Sequence, residues 1–180
     1  RWAAHIVNYA DDFVICCKRG ADDAMAAMRA IMQRLKLTVN EDKTHLCQIP
    51  RERFDFLGYT FGRHYVFGSG APYYGMRPSR KAISRILRAI RETTSRRECY
   101  ADIEVQVTTL NRMLNGWANY FCMGQVSLIY EQVDAHMRCR LRRWLCRKHK
   151  QPGRGCARYP LSYLYETLGL VRLRGRKPVS

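Results

Sequence analysis

The apolar residues of this sequence change their spacing near residue 70, and this change constrains the fold more than any other feature. Before it, they form short runs typical of β-strands, interrupted by one helical stripe over residues 21–36. After it, they recur every three or four residues over long stretches, as the buried faces of helices do. Turn-forming residues fill the break, Gly68-Ser69-Gly70-Ala71-Pro72. The sequence therefore predicts an α+β fold, with β-hairpins and a helix first and a helical bundle second.

Local patterns predict the individual elements. Asp11 and Asp12 separate two β-rich runs, so a hairpin with carboxylates at its tip is expected. The predicted strands cover residues 3–9, 13–17, 37–39, 44–49, 54–61 and 65–67. The predicted helices of the second part cover residues 78–95, 103–121 and 126–149, and a short aromatic helix is expected over 161–168. The three long amphipathic helices, joined by short links, predict a small bundle.

Positive charge is concentrated in the second part. The 180 residues include 32 Lys and Arg against 15 Asp and Glu, a net charge of +17. Residues 1–75 carry ten basic and eight acidic side chains, whereas residues 76–180 carry 22 basic and seven acidic ones. Most of the cations are Arg, whose planar guanidinium suits bidentate contact with phosphate. This balance favours a polyanionic partner, and a solvated cationic surface is the alternative.

Composition excludes several classes of protein. A hydrophobic fraction of 47% is enough for a core, so general disorder is excluded. No apolar run approaches the ~20 residues of a membrane span, and the eight cysteines include no C-x-x-C pair. Reduced thiols fit the cytosol, so a cytoplasmic protein without membrane contact is expected. The first residue is Arg1 rather than Met, which suggests a piece of a longer reading frame.

The adjacent carboxylates of Asp11 and Asp12 indicate a cation site. Like charges this close repel one another unless a cation compensates them. Two Mg²⁺ ions held by carboxylates would activate an attacking hydroxyl and stabilise the leaving oxygen of a phosphoryl transfer. The alternative is purely local, because Asp is common in hairpin turns for its hydrogen bonds to the backbone.

Four motifs in order along the chain resemble those of one family. Tyr9-Ala10-Asp11-Asp12 resembles the Y-x-D-D motif of reverse transcriptases, and residues 40–44 resemble their E-x-K-T segment. Phe56-Leu57-Gly58-Tyr59 is similar to the F-L-G-[FY] primer-grip hairpin. Residues 114–121 are similar to the G-W-x-N-Y-F motif of the maturase-specific, or thumb, domain encoded by group II introns. The chain thus resembles a group II intron reverse transcriptase/maturase over nearly its whole length.

The resemblance implies a role for each motif residue. Asp11 would be a metal ligand and Asp12 its less directly coordinating neighbour, in a two-metal Mg²⁺ site. Tyr9 would lie beneath the primer terminus, and Lys43 near the phosphates of the incoming dNTP. Phe56, Leu57, Gly58 and Tyr59 would support the primer strand. The family uses a further aspartate from an earlier palm strand, so the metal site of this chain is expected to be incomplete and the isolated chain inactive as a polymerase.

The resemblance also divides the chain and names its partners. Residues 1–70 would be the C-terminal part of the palm, residues 71–150 the thumb, and residues 151–180 a basic extension. The expected partners are group II intron RNA, the template-primer RNA/DNA and, in the full-length enzyme, dNTP. The expected nucleic-acid-binding residues lie on two helices: Arg80, Lys81, Arg85, Arg88, Arg91, Arg138, Arg142, Arg143, Arg147 and Lys148.

Two functions and one unrelated alternative remain at this stage. The first is an RNA-directed DNA polymerase of bacterial type that also assists intron splicing and mobility. The second is a non-catalytic RNA-binding maturase in which the polymerase site is a relic. The third, a helical DNA-binding module fused to an unrelated β-domain, does not account for the ordered set of motifs.

Overall fold

A computed structural model of the chain describes residues 4–66 and 68–176. The chain forms two compact units, of which the first ends at Gln48 and the second begins at Ile49. Each unit contains one antiparallel sheet. The α+β class is confirmed, whereas the palm and thumb arrangement and its division at residues 70 and 150 stay predictions. No helix in the described part of the chain is long and apolar enough to cross a membrane.

The first unit is a β-hairpin with one helix. Strands β1 (Ala4–Tyr9) and β2 (Asp12–Cys17) pair with Tyr9 opposite Asp12. Helix α1 (Ala21–Arg34) contacts β2 and buries Ala24 and Met28. Its first turn contains Asp22 and Asp23, where the helix dipole favours negative charge. The predicted hairpin and helix are therefore confirmed, apart from Ala3, which lies outside the described residues.

The strands predicted over residues 37–39 and 44–49 are wrong. Residues 41–43 form a turn, and no strand covers the flanking residues in this described part of the chain. Asn40 directs the turn because its side-chain oxygen accepts from the Lys43 N–H at 3.2 Å and its carbonyl accepts from the Thr44 hydroxyl at 2.8 Å. Such local bonds occupy the backbone groups that strand pairing would use.

The sheet of the second unit has three strands in the order β3-β4-β5. Strand β3 (Arg53–Phe56) joins β4 (Tyr59–Tyr65) through a two-residue turn, Leu57-Gly58. Both turn residues have positive φ, +50° and +78°, as a tight hairpin requires, and glycine accepts this conformation without strain.

Strand β5 (Pro72–Pro78) was not predicted. It begins and ends with proline and has Gly75 at its centre, and these residues are typical of a turn rather than of a strand. It nevertheless pairs with β4, from Tyr65 opposite Pro72 to Tyr59 opposite Pro78. Proline is tolerated because β5 is an edge strand. Of the predicted strand over 65–67, only Tyr65 belongs to β4; residue 66 is not part of a strand, and Phe67 lies outside the described residues.

The three long predicted helices are confirmed. Helix α2 (Arg80–Thr93) begins after Ser79, whose hydroxyl accepts from the Ala82 N–H at 3.2 Å. A 3₁₀-helix (Arg96–Tyr100) leads to α3 (Ile103–Tyr120) and α4 (Ser127–Lys148), and a π-helical turn (Tyr163–Thr167) follows.

One apolar core holds these helices together. Its fully buried side chains come from all three long helices and from the segment after the π-helical turn: Ile90, Leu110, Leu114, Val133, Met137, Leu141, Trp144, Leu145, Leu164 and Leu173. The basic residues of α2 are consequently left on its outer face.

Candidate catalytic turn and nucleic-acid interface

The hairpin of the first unit presents its two carboxylates to solvent. Its turn consists of Ala10 and Asp11, and Ala10 adopts a positive φ of +52°. Asp12 is the first residue of β2 and lies opposite Tyr9, which is 64% exposed. Both Asp11 and Asp12 are exposed as well. The tight turn therefore holds the carboxylates of Asp11 and Asp12 next to each other, with both charges exposed to solvent.

The two carboxylates have the chemistry of magnesium ligands, and a metal site at this turn stays a prediction. Mg²⁺ prefers six oxygen ligands and is commonly held in proteins by one or two carboxylates together with water and substrate phosphates. Among the residues that the structure describes, no group of three or more His, Cys, Asp or Glu side chains is arranged to hold a metal. The chemistry of Asp11 and Asp12 thus fits a Mg²⁺ site that other groups would complete.

Lys43 lies in the turn after α1, in the same compact unit. Its backbone N–H bonds to Asn40, and its side chain is exposed. The Arg29 guanidinium of α1 meets the Glu41 carboxylate of this turn at 2.6 Å, which ties the turn to the helix. None of the described contacts joins Lys43 to Asp11 or Asp12, so its role beside a nucleotide stays a prediction.

The predicted primer-supporting hairpin is bound to the C-terminal end of α3. The Tyr59 hydroxyl donates to the Tyr120 carbonyl at 2.6 Å, and the Tyr120 hydroxyl donates to the Leu57 carbonyl at 2.9 Å. Gly58 allows this close approach, because a β-carbon there would lie 3.1 Å from the Phe121 ring. Two motifs that are about 60 residues apart in sequence therefore form one structural element.

Tyr59 is a packing residue of this element. It is 4% exposed, its ring centroid lies 5.1 Å from that of Phe121, and burial raises the pKa of its hydroxyl. Phe56 and Leu57 are half-buried. Support of a primer by this hairpin would therefore come from its backbone and its half-buried side chains, while Tyr59 fixes the hairpin to α3.

The aromatic residues of the G-W-x-N-Y-F motif have different environments. Trp117 is half-buried, with its ring centroid 5.1 Å from that of Phe121 and 6.0 Å from that of Tyr130. The Tyr130 hydroxyl donates to the Phe121 carbonyl at 2.9 Å and closes the end of α3. Asn119 of the same motif accepts from the Arg176 guanidinium at 2.9 Å. The motif therefore joins α3 to the sheet, to α4 and to the segment that follows.

The predicted nucleic-acid-binding cations fall into two groups. Three of them bond within the protein: Arg138 to the Tyr165 hydroxyl at 3.2 Å, Arg142 to the Tyr159 carbonyl at 2.8 Å, and Lys148 to the Ala101 carbonyl at 2.8 Å. The others are exposed: Arg80, Lys81, Arg85, Arg88, Arg91, Arg143 and Arg147. The exposed group is the part of the predicted set that can meet a large polyanion directly.

Sequence patterns missed two further arginines, Arg96 and Arg140. Arg96 follows α2 and lies outside every predicted helix, whereas Arg140 lies on α4. The Arg140 guanidinium donates to the Thr94 hydroxyl at 3.0 Å and to the Arg91 and Thr94 carbonyls at 3.1 Å. Only the packing of α4 on α2 brings these residues together, and no local pattern carries that signal.

Comparison with known families identifies part of this region. Residues 83–159 match the family model of the group II intron maturase-specific domain. The match begins within α2 and contains all of α3 and α4, together with the G-W-x-N-Y-F motif. No curated protein gives a significant match to the chain.

Proposed function

Because residues 83–159 belong to the group II intron maturase-specific family, we propose that this chain binds intron RNA in the cytoplasm through its basic helices and assists splicing. The observation that carries the proposal is the exposed row of cations within the matched region. Arg85, Arg88 and Arg91 follow one another at three-residue spacing on the outer face of α2, while the opposite face enters the core. The row is therefore available to a partner without any change in the fold.

The physical basis is neutralisation of phosphate. Each phosphate paired with Lys or Arg releases condensed counterions, so affinity falls as the salt concentration rises. Structured RNA offers backbone phosphates and 2′-hydroxyls, which a protein recognises mainly through shape. Arginine-rich helices on a rigid bundle match this type of surface.

A salt titration tests this proposal. We expect the chain to bind a structured group II intron RNA with an affinity that falls steeply between low and physiological salt, by about 0.7–0.9 logarithmic units per phosphate contact for each tenfold change. Anisotropy of a labelled RNA measures it. Affinity that is indifferent to salt would contradict an electrostatic interface.

A second candidate function, nucleotidyl transfer, is favoured by the first unit. The two-residue turn that exposes Asp11 and Asp12 beside Tyr9 supports the resemblance to a reverse-transcriptase metal site. Mg²⁺ held there would activate the primer hydroxyl and neutralise the departing pyrophosphate. Asp11 and Asp12 would position the ion, and Lys43 would lie near the dNTP phosphates. Template-primer RNA/DNA would be the substrate.

Replacing Asp11 separates the two functions. In the full-length protein, Asp11→Asn should abolish primer extension with Mg²⁺ and leave the affinity for intron RNA within twofold, because the turn geometry is kept and a ligand charge is lost. Asp22→Asn, at the start of α1, is the matched control. Primer extension that Asp11→Asn leaves unchanged would contradict a metal-binding role of Asp11. Absence of primer extension by the wild-type protein would leave only the RNA-binding maturase.

A further inference from the structure

A cavity lined by arginines lies where the C-terminal end of α2 meets α4. Its volume is about 670 Å³, and its lining consists of Arg91, Ser95, Arg96, Arg140 and Arg147. Four arginines and one serine thus line a single open depression. Each of these side chains is a hydrogen-bond donor, and a guanidinium cannot accept.

Helix geometry explains how these residues meet. Arg91 is in the last turn of α2, and Ser95 and Arg96 follow where the chain enters the 3₁₀-helix. Arg140 and Arg147 are seven residues apart on α4, which places them two turns apart on one face. The cavity is therefore formed by the packing of α2 on α4 together with the connection that follows α2.

Three hydrogen bonds within the protein hold Arg140 in place at the cavity. Its bonds to the Thr94 hydroxyl and to the Arg91 and Thr94 carbonyls hold the guanidinium in one orientation. Thr94 itself is fully buried, and its hydroxyl donates to the Ile90 carbonyl at 2.6 Å. A cation fixed in this way loses little conformational entropy when it binds an anion.

Within the described residues, no carboxylate neutralises the positive charge of the cavity. Among residues 4–66 and 68–176, no carboxylate lies within ion-pair distance of Arg91, Arg96, Arg140 or Arg147. Glu92, although adjacent to Arg91, faces Arg88 at 3.9 Å. Burial, followed by the neighbouring positive charges of Arg147 and Arg91, lowers the pKa of Arg140. Grouped cations repel one another, so an anion bound between them would relieve that repulsion.

We propose that this arginine cavity is a binding site for a backbone phosphate of structured RNA. The proposal rests on the RNA-binding function proposed above and assigns a specific contact to it. Guanidinium groups pair with phosphate oxygens through two parallel N–H donors, and several of them around one site would hold a single phosphate from different sides. Arg91 also ends the row that begins with Arg85 and Arg88, so the site continues a line of cations. A line of this kind suits the repeated charges of a nucleic-acid strand better than an isolated anion.

The test compares two triple variants that lose equal charge. The cavity variant combines Arg91→Gln, Arg96→Gln and Arg147→Gln and keeps Arg140, which the fold needs. The control combines Arg80→Gln, Lys81→Gln and Arg85→Gln at the other end of α2. At a fixed salt concentration, the cavity variant should bind intron RNA on the order of tenfold more weakly than the control. Thermal unfolding of both variants shows that the fold is retained.

Ethylation interference on the RNA adds a readout of position. With the wild-type chain, ethylation of one particular phosphate should block binding. With the cavity variant, the same ethylation should have no further effect, while interference at other phosphates remains. The proposal is overturned if no phosphate of the RNA behaves in this way.

The remaining outcomes are also decisive. Equal loss of affinity in the two variants would overturn a specific site for an RNA phosphate and leave general RNA binding intact. Thermal unfolding with added pyrophosphate tests the remaining ligand. If the two variants bind RNA equally, and pyrophosphate stabilises the wild-type chain but not the cavity variant, the cavity binds a free phosphate compound and the proposal of an RNA phosphate is overturned. If the wild-type chain itself fails to bind RNA in a salt-dependent manner, it is the proposed function that fails.

Discussion

Tyr59 and Tyr120 are the residues on which the joint between the sheet and α3 depends. Each hydroxyl donates to a backbone carbonyl of the opposite motif, Tyr59 to Tyr120 itself and Tyr120 to Leu57. The two tyrosines differ in burial, since Tyr59 is 4% exposed and Tyr120 is 54% exposed. A lost hydrogen bond is costly mainly where water cannot replace it.

We therefore expect Tyr59→Phe to destabilise the second unit by about 1–2 kcal/mol and Tyr120→Phe by about 0.5 kcal/mol or less. Urea unfolding of both single variants and of the double variant measures these costs. Tyr65→Phe, at an exposed position of β4, is the control and should change nothing. A Tyr120→Phe variant that is the less stable of the two would contradict this ranking.

His64 gives the second unit a dependence on pH. The side chain is 1% exposed, its Nε2 lies 3.2 Å from the Thr60 carbonyl, and its Nδ1 is buried without a partner among the described residues. Burial, with Arg77 and Arg53 nearby, lowers its pKa from the usual 6.5. Since the folded state disfavours the protonated ring, its contribution to stability is complete above about pH 6.5 and is lost as the pH falls below that value.

Acidification from pH 7.5 to pH 5 should therefore lower the free energy of unfolding, and His64→Gln should reduce this loss. Glutamine can still donate to the Thr60 carbonyl but takes up no proton. Chemical unfolding at several pH values measures the effect. The exposed residue His45 gives the control, His45→Gln, which should keep the wild-type slope. An unchanged slope in His64→Gln would contradict the assignment.

At the level of elements, two helices hold the segment that follows the π-helical turn. Asp134 of α4 accepts from the Leu173 N–H through both carboxylate oxygens at 3.1 Å and from the Arg174 N–H at 3.0 Å. Asn111 of α3 donates to the Gly169 carbonyl and accepts from the Val171 N–H, each at 2.8 Å. Polar side chains of two helices thus fix a segment without regular structure, and Leu173 fills the core.

Asp134→Ala should consequently destabilise the second unit by about 2–3 kcal/mol, because it leaves the backbone N–H groups of Leu173 and Arg174 without their acceptor. Glu131→Gln is the matched control on the same helix. It breaks only the exposed ion pair with Arg174, which should cost less than about 0.5 kcal/mol. Urea unfolding gives both values, and hydrogen exchange should rise at residues 169–174 only in Asp134→Ala. Equal costs would contradict the anchoring role of Asp134.

The elements also show what the sequence could and could not predict. Helices α2, α3 and α4 have long apolar stripes, and each was predicted within a few residues of its ends. The hairpin at Asp11 could be predicted equally well, because its strands are adjacent in sequence. Strand β5 was missed because its prolines and Gly75 resemble a break, although an edge strand tolerates them.

The grouping of the cavity arginines could not be predicted from the sequence for another reason. Arg91 and Arg140 are 49 residues apart and meet only through the packing of α2 on α4. Periodicity identifies the buried face of each helix but not which outer residues of two helices become neighbours. The metal and primer-binding roles of Asp11, Asp12 and Tyr9 remain predictions that rest on family resemblance.

For the whole molecule, the two compact units differ in the size of their cores. Among the described residues of the first unit, the buried apolar side chains are Ala24 and Met28, and Ile6, Val7 and Tyr9 are more than half exposed. The second unit buries a large cluster that includes Trp144. Stability follows buried apolar area, so the first unit should be the weaker one.

Limited trypsin digestion should therefore remove the first unit first. We expect early cleavage after the exposed residues Lys43 and Arg51 and a resistant fragment that contains the second unit. Mass spectrometry of the fragments over time gives the order of cleavage. Early cuts within α3 or α4, before residues 36–51 are cleaved, would contradict this order.

The bonds of Arg140 have a consequence for how this chain tolerates mutation. The same guanidinium closes the end of α2 and lines the arginine cavity. A substitution that removes its charge also removes its bonds to the Arg91 and Thr94 carbonyls, so such a variant loses fold stability whether or not the cavity binds an anion. Substitutions that keep the end of α2 intact therefore also tend to keep a cation in the arginine cavity.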